Sequence, residues 1–326
     1  NTVKNLALLG KDVDFSFLWM RAGYDINQRL IPYTNDSTHG RAALVGILNT
    51  LLVAFIGCII ATIIGVFVGI LRLSKNWIVA KLMAVYIEGF RNIPVLLWIV
   101  MIFALLTEFT PAPKAFRGAN PEASMILFES TAITNRGAYF PNPVWGDGSV
   151  YLVLTFLISL VAIFFFRRYA RALQEETGRG LPKFWISLGL LLIPSILLYF
   201  VLGSPVSLEY PYLKGFNFKD GIYVRNSLIA LTLALSLYTS AFIGEIVRSG
   251  ILAISHGQTE AASSLGLRPG RIMSLIILPQ ALRVIVPPMI SNYLNLTKNS
   301  SLAIAVGYMD VRGTLGGITL NQTGRE

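Results

Sequence analysis

The sequence predicts an all-α polytopic membrane protein. Of its 326 residues, 54% are hydrophobic and only 13% are charged, whereas soluble globular chains carry about 25% charged residues. Five stretches contain no charged residue, and most of them reach the ~18–20 residues that a spanning helix needs. These stretches are 42–71, 92–107, 148–166, 184–208 and 226–244.

The placement of the basic residues predicts the orientation of these spans. One set of loops holds 11 Lys and Arg in 51 residues: 72–81, 167–183 and 248–271. The alternate segments hold 11 in 104 residues: 1–43, 110–148 and 204–225. Because cytoplasmic loops carry an excess of Lys and Arg, the first set is predicted to be cytoplasmic. The net charge of +10 is therefore attributed to membrane orientation, and nucleic acid is not an expected partner.

The first span, 44–71, carries small residues at a four-residue step: Gly57, Ala61, Gly65 and Gly69. Residues four apart share one helical face, and small residues there allow two helices to approach closely. The pattern predicts tight packing against a neighbouring helix, with a gating role as the alternative.

The second span, about 82–107, is interrupted by charged residues. Glu88 and Arg91 stand at i, i+3 and are followed by Pro94. Ionisable residues inside a span are costly and usually functional, but side chains near a helix end also reach the interface. Two interpretations stay open, a structural Glu88–Arg91 pair and a direct role of both residues in transport.

Further along, a proline-rich loop, 110–148, precedes an apolar helix pair, 149–166 and 184–203. We expect this pair to lie at the lipid-facing periphery, because it is apolar on all sides.

Residues 255–279 lie in a predicted cytoplasmic loop and have the signals of a short helix. Ser255 or Thr259 is a candidate cap, and Glu260 is expected in the first turn, where the helix dipole favours an anion. Gly266 suits the left-handed position after the last helical turn, and Pro269 prevents continuation. A capped helix of about ten residues, ~15 Å long, predicts a docking element for a cytoplasmic partner.

The last apolar stretch, 276–306, is interrupted by prolines and is expected to be kinked or broken. It also carries polar residues that cannot face lipid along the whole helix: Asn292, Asn295, Lys298, Asn299 and Ser300. We predict that this polar face lines the substrate pathway. Lys298 either meets a substrate carboxylate or reaches the periplasmic headgroups, and both interpretations stay open.

Residues 260–279 also resemble a known family signature. Glu-Ala-Ala, then Gly266, then Ile276-x-Leu278-Pro279 match the EAA loop of bacterial ABC-importer permeases. The stretches YIEGFRNIPVLL (86–97) and LPQALRVIVPPM (278–289) resemble the polar-amino-acid group of these permeases. The insertion and the polar 1–41 segment make the chain similar to the larger permease subunit of bacterial general L-amino-acid uptake systems.

This resemblance implies a type I ABC-importer permease fold with an inserted helix pair. It implies that the EAA loop contacts a separate ATPase, with the coupling residues at Glu260, Ala261, Ala262, Gly266 and Leu267. It also implies a second homologous permease subunit, two ATPase subunits, a periplasmic amino-acid-binding protein and a place in the bacterial inner membrane. The expected function is inward translocation of L-amino acids.

No catalytic or cofactor site is expected in this chain. It contains no GxxxxGK[ST] phosphate-binding loop, so ATP and Mg are expected on the partner ATPase. One cysteine and two histidines distant in sequence offer no metal-binding spacing. The alternative function is a secondary, ion-coupled amino-acid transporter, which requires mid-span coupling carboxylates and inverted repeats.

The expected organisation has four parts. A polar periplasmic segment, 1–41, is expected to follow a missing first helix, and the first core helices occupy 42–109. Periplasmic loops with the inserted helix pair occupy 110–225. The core that contains the EAA loop occupies 226–326. The resemblance implies one further helix after Gly324.

Overall fold

The computed structural model of the protein describes residues 15–118, 121–178 and 180–324. Residues 1–14 of the predicted polar segment lie outside this range. The described chain divides into two compact units. The first unit contains residues 15–112, 133–138 and 224–324, and the second unit contains the described residues of 113–132 and 139–223.

Helices account for most of the first unit and for about half of the second. In chain order they are α1 (His39–Arg72), α2 (Trp77–Asn92), α3 (Val95–Glu108), α4 (Ser149–Thr177), α5 (Lys183–Val201), α6 (Asn226–Leu252), α7 (His256–Ser264) and α8 (Leu278–Asn299). Among the described residues, five helical segments are long and apolar enough to cross a membrane, and α2 with α3 forms a sixth candidate. The prediction of a helical, multi-pass membrane protein is confirmed.

The close approach of α1 to α6 forms the centre of the first unit. A Cβ added to Gly65 would lie 2.6 Å from the Cβ of Ile243, and one added to Gly69 would lie 2.6 Å from the carbonyl oxygen of Gly244. Both contacts are closer than side chains tolerate, so the two backbones meet only because these positions are glycines. The predicted tight packing of the small-residue face is confirmed. The contacts advance in the same direction along both helices, which therefore run parallel.

The second predicted span is divided between α2 and α3, whose axes are bent by 104°. Ile93 lies between them in an extended conformation, with φ −103° and ψ 132°. Pro94 explains this conformation, because a proline ring clashes with a helical residue before it. The predicted interruption is therefore a sharp bend at Ile93 and Pro94, and the two helices together stay one candidate span.

By contrast, the predicted break inside the last stretch is absent. α8 continues through Pro287 and Pro288, and Pro279 is its second residue. The irregularity lies before α8, where a short turn, Pro269–Ile272, leads into a π-helical turn, Met273–Ile277. A 3-10 helix, Ser300–Val306, follows α8.

Buried polar groups attach the segment after α8 to the first half of α1. Asn49 is fully buried, and its Nδ2 donates to the carbonyl oxygens of Gln28 and Met309, each at 2.8 Å. The hydroxyl of Tyr308 donates to the carbonyl oxygen of Asn49 at 3.1 Å. Buried amides and hydroxyls need such partners, so these bonds position residues that are distant in sequence.

The second unit contains α4 and α5, and short strands that the sequence analysis did not predict lie between the helices. β1 (Ala132–Thr134), β2 (Gly137–Phe140) and β7 (Ile222–Arg225) form one three-stranded sheet in that order. Two antiparallel pairs complete the set: β3 (Asn142–Trp145) with β4 (Val206–Glu209), and β5 (Tyr212–Lys214) with β6 (Asn217–Lys219). α4 extends to Thr177, so most of the predicted basic loop 167–183 is helical instead.

Candidate functional site

The short helix predicted in the loop after α6 is present as α7, with nine residues. Ser255 occupies the N-cap position, but its side chain makes no capping hydrogen bond. Thr259 lies inside the helix, and Glu260 is its fifth residue, so the prediction of Glu260 in the first turn is wrong. The helix starts earlier than expected because Ser255, the earlier candidate, is the residue with extended backbone geometry. Glu260 instead faces His256, with Oε1 3.6 Å from Nδ1.

The end of α7 has the predicted left-handed glycine. Gly266 has φ +74°, its amide donates to Ser263, and the amide of Leu267 donates to Ala262 at 3.3 Å. These two bonds are those of a Schellman motif, in which glycine is favoured at the left-handed position. A well-defined helix end results.

Most of α7 is available for contact with another protein. Glu260, Ala261 and Gly266 are exposed, whereas Ala262 is buried against its own chain and Leu267 is half-buried. Leu265, at the end of α7, is 80% exposed. Such exposure is high for a leucine side chain. The sequence analysis did not single out Leu265.

The predicted polar face of α8 is only partly assembled. Asn295 and Lys298 are exposed, while Asn292 and Asn299 are half-buried. Ser300 is 1% exposed and its hydroxyl donates to the carbonyl oxygen of Thr297, so it does not belong to this surface. It turns inward because the chain tightens into the 3-10 helix at that residue.

The predicted Glu88–Arg91 pair is absent, although the spacing allows it. Both side chains are exposed, and the guanidinium of Arg91 lies 5.2 Å above the ring of Phe242. A cation over an aromatic face is attracted by the electrons of the ring. Arg91 is therefore held against α6 rather than by its own helix.

An ion cluster joins the end of α1 to the end of α6, at the start of the predicted cytoplasmic loops 72–81 and 248–271. Glu245 accepts from Arg72 through one carboxylate oxygen and lies 3.2 Å from Nη1 of Arg248 through the other. Glu245 and Arg248 are three residues apart on α6, but Arg72 is 173 positions from Glu245 in sequence. α6 leads directly into α7. The cluster therefore attaches to α1 the end of α6 that precedes α7.

Comparison with known proteins identifies the family. The model of the family described as binding-protein-dependent transport system inner membrane component matches residues 176–321. A glutamate/glutamine/aspartate/asparagine transport system permease protein, BztB of Rhodobacter capsulatus, is 55% identical over the whole of this chain and 82% of its own length. The general L-amino acid transport system permease protein AapQ of Rhizobium johnstonii is 45% identical over the whole of this chain and 79% of its own length.

Two further similarities concern a solved structure and a paired subunit. A crystal structure of an amino acid ABC transporter with histidines aligns over 88% of this chain and 81% of its own, with 18% identity and a TM-score of 0.47. BztC, a second permease protein of the Rhodobacter capsulatus system, is 33% identical over 36% of this chain and 25% of its own length. Such relatives thus occur as paired permease subunits. On the full-length similarity to BztB and AapQ, the chain belongs to the family of binding-protein-dependent inner membrane transport components, as a permease of the amino-acid ABC importers.

Proposed function

We propose that this chain conducts L-amino acids across the bacterial inner membrane into the cytoplasm, driven by ATP hydrolysis in a separate ATPase. The names of its relatives support an amino-acid cargo, and its family supports the ABC mechanism over ion-coupled secondary transport. BztB is named for a system that transports glutamate, glutamine, aspartate and asparagine, and AapQ for a general L-amino acid system, so a broad cargo is proposed here as well.

The observation that carries this proposal is the exposed helix α7. It connects α6 to the turn before α8, and it is short, well terminated and largely uncovered by its own chain. Nine helical residues alone are marginally stable in water, so a partner that packs on α7 stabilises it. The exposed Glu260, Ala261 and Leu265 offer a charge, a small residue for close approach and an apolar contact.

The partner that fits this surface is an ATPase subunit with a groove for one helix. We propose that ATP and Mg are bound there and that closure of the ATPase moves α7. Because the ion cluster around Glu245 attaches the end of α6 to α1, a displacement of α7 acts on both helices together. A second permease subunit, a second ATPase and a periplasmic amino-acid-binding protein complete the proposed complex.

The substrate pathway is proposed to follow the exposed polar residues of α8. Asn295 and Lys298 are uncovered in this chain, and a charged lysine facing hydrocarbon near the bilayer centre costs at least ~2.5 kcal/mol. A second subunit or a water-filled passage facing this side avoids that cost. Glu88 and Arg91, both exposed on α2, are the further candidates for this pathway.

The test is the coupling of uptake to ATP hydrolysis in proteoliposomes that contain the whole complex. Gly266→Pro and Glu260→Arg are expected to reduce amino-acid uptake strongly, and to abolish stimulation of the ATPase by the binding protein. Proline cannot adopt the φ of Gly266 and has no amide to donate to Ser263.

Matched controls exist at the end of α4. Gly178 also has a left-handed φ, +70°, and its amide closes a helix by donating to Gln174, while Glu175 is an exposed glutamate of the same helix. Gly178→Pro and Glu175→Arg are expected to retain coupled uptake. Normal coupling in both α7 variants, or uptake that follows an ion gradient without ATP, contradicts the proposal.

A further inference from the structure

The last turns of α4 carry a concave surface with a volume of about 640 Å³. We call it the basic surface of α4, and its lining residues are Phe164, Arg167, Arg168, Arg171, Ala172 and Glu175. Residues at such three- and four-residue steps belong to one helical face. The buried residues of α4, among them Ser159 and Ala170, lie on a different face. The basic surface is therefore on the outward side of α4.

Its position along α4 corresponds to the boundary between hydrocarbon and headgroups. Residues 149–166 contain no charged residue, and at 1.5 Å per residue they measure ~27 Å. The hydrocarbon core of a bilayer is ~30 Å thick. Arg167 is the first charged residue after this apolar run, so the arginines of the basic surface follow the hydrocarbon directly, at the level of the lipid headgroups.

The positive charge of the basic surface is not neutralised by carboxylates. Arg168 and Arg171 are exposed, and within the part of the chain that the structure describes the ion pairs join other residues. Arg167 donates through Nε to the hydroxyl oxygen of Ser187 on α5, at 3.4 Å, and this neutral partner leaves its charge in place. Three arginines and one glutamate line the surface, so it carries a net positive charge.

The outward face of α4 is apolar on the membrane side of the arginines. Leu157, Leu160, Val161 and Phe164 precede them at helical spacing and are between 44% and 64% exposed. A soluble anion contacts the arginines and leaves these side chains uncovered, and so does an acidic segment of a cytoplasmic protein, which stays outside the hydrocarbon. A molecule with an anionic head and long apolar chains covers both parts of this face.

We propose that the basic surface of α4 holds the headgroup of an anionic phospholipid, whose acyl chains lie along Leu157 and Phe164. The phosphate accepts from Arg168 and Arg171, because the planar guanidinium presents paired donors that match phosphate oxygens. Arg167, which is bonded to α5, adds a third positive charge. Basic clusters at the end of a membrane helix bind anionic lipids in this way. The proposal goes beyond the proposed function and does not depend on it.

The test measures labelling of α4 by photoreactive phospholipids in the whole complex, in nanodiscs of phosphatidylcholine. One sample contains a trace of phosphatidylglycerol with a photoreactive group halfway along an acyl chain, and the other contains the same amount of phosphatidylcholine with that group. Mass spectrometry quantifies the label on residues 157–164. Phosphatidylglycerol is expected to label this stretch about twentyfold more, because each basic residue at an anionic headgroup changes the affinity about fivefold.

A pair of double variants separates this surface from a general effect of positive charge. Arg168→Gln with Arg171→Gln is expected to lower labelling by phosphatidylglycerol about twentyfold. Lys75→Gln with Lys81→Gln is the matched control, because it removes two exposed charges from the predicted cytoplasmic loop 72–81, and it is expected to retain the labelling. Equal losses in the two double variants assign the lipid preference to diffuse charge and overturn the proposal.

Glu175→Gln provides a variant that gains binding, which poor assembly cannot imitate. Glu175 is the acidic residue among those that line the basic surface, and its carboxylate repels the phosphate. Its removal is expected to raise labelling by phosphatidylglycerol about fivefold, with labelling by phosphatidylcholine unchanged. Unchanged labelling by phosphatidylglycerol in this variant contradicts the proposal.

Other results also overturn the proposal. One is equal labelling of residues 157–164 by the two lipids in the unmodified complex. Displacement of phosphatidylglycerol by glycerol 3-phosphate identifies a site for a soluble phosphate instead. Absence of lipid label, combined with modification of Arg168 and Arg171 by phenylglyoxal only after the ATPase subunits are removed, assigns the basic surface to a protein contact. ATP-driven uptake by the unmodified complex supports the proposed function in each of these cases.

Discussion

Replacement of Gly65 by alanine is expected to destabilise the packing of α1 on α6. The new methyl carbon would lie 2.6 Å from Cβ and Cγ2 of Ile243 and 2.9 Å from the carbonyl oxygen of Ser240. The carbonyl oxygen belongs to the backbone of a buried helix and cannot turn aside, so α1 and α6 must separate. Overpacking of this kind costs about 1–3 kcal/mol.

The effect of alanine on helix formation acts in the opposite direction. Alanine is more favourable than glycine inside a helix by about 0.5–1 kcal/mol. Gly89 of α2 provides the matched control, because a Cβ there has no neighbour within 4 Å. The helix contribution is common to both substitutions, so the difference in unfolding free energy between Gly65→Ala and Gly89→Ala isolates the steric cost of about 1–3 kcal/mol.

The assay is thermal unfolding of the purified complex in one detergent, followed by loss of helical signal from this chain. Gly65→Ala is expected to melt below the unmodified protein, and Gly89→Ala at or above its melting temperature. Equal melting temperatures for the two variants refute the close α1–α6 contact and the explanation of the small-residue face.

Two further substitutions test the ion cluster and the polar face of α8. Glu245→Gln leaves the guanidinium of Arg72, which is only 19% exposed, without its anion, so we expect a loss of about 1–3 kcal/mol in unfolding free energy. Asp36→Asn removes an ion pair with Arg21 whose side chains are more than 60% exposed, and it is expected to cost less than about 1 kcal/mol of unfolding free energy. Denaturant titration of both variants checks this order. Equal losses of unfolding free energy contradict it. Lys298→Met is expected to impair uptake while assembly and basal ATPase activity are retained, whereas Lys214→Met in the second unit leaves uptake unchanged. Full uptake in Lys298→Met excludes that lysine from the pathway.

The sequence alone determined the features that depend on neighbouring residues. Long uncharged runs locate the spans, because a membrane helix must satisfy its own backbone and present apolar side chains. Gly266 marks the end of α7, because glycine adopts a left-handed conformation without steric cost. The four-residue step of small residues identified the face of α1 that packs closely, although not the helix on which it packs.

Only the tertiary structure decided which charged residues meet. Glu88–Arg91 and Glu245–Arg248 have the same i, i+3 spacing, yet only the second pair forms. Glu245 is partly buried beside Arg72, which packing of α1 on α6 brings from 173 positions away, whereas Glu88 and Arg91 are both exposed and Arg91 turns to an aromatic ring.

The buried hydrogen bonds of Asn49 show the same limit. Asn49 and Met309 are 260 positions apart in sequence, and no local pattern connects them. Helical periodicity and caps are properties of a short segment and can be recognised in it. The choice of a distant partner depends on which helices pack together and how closely, and that is decided by the burial of side chains across the whole fold.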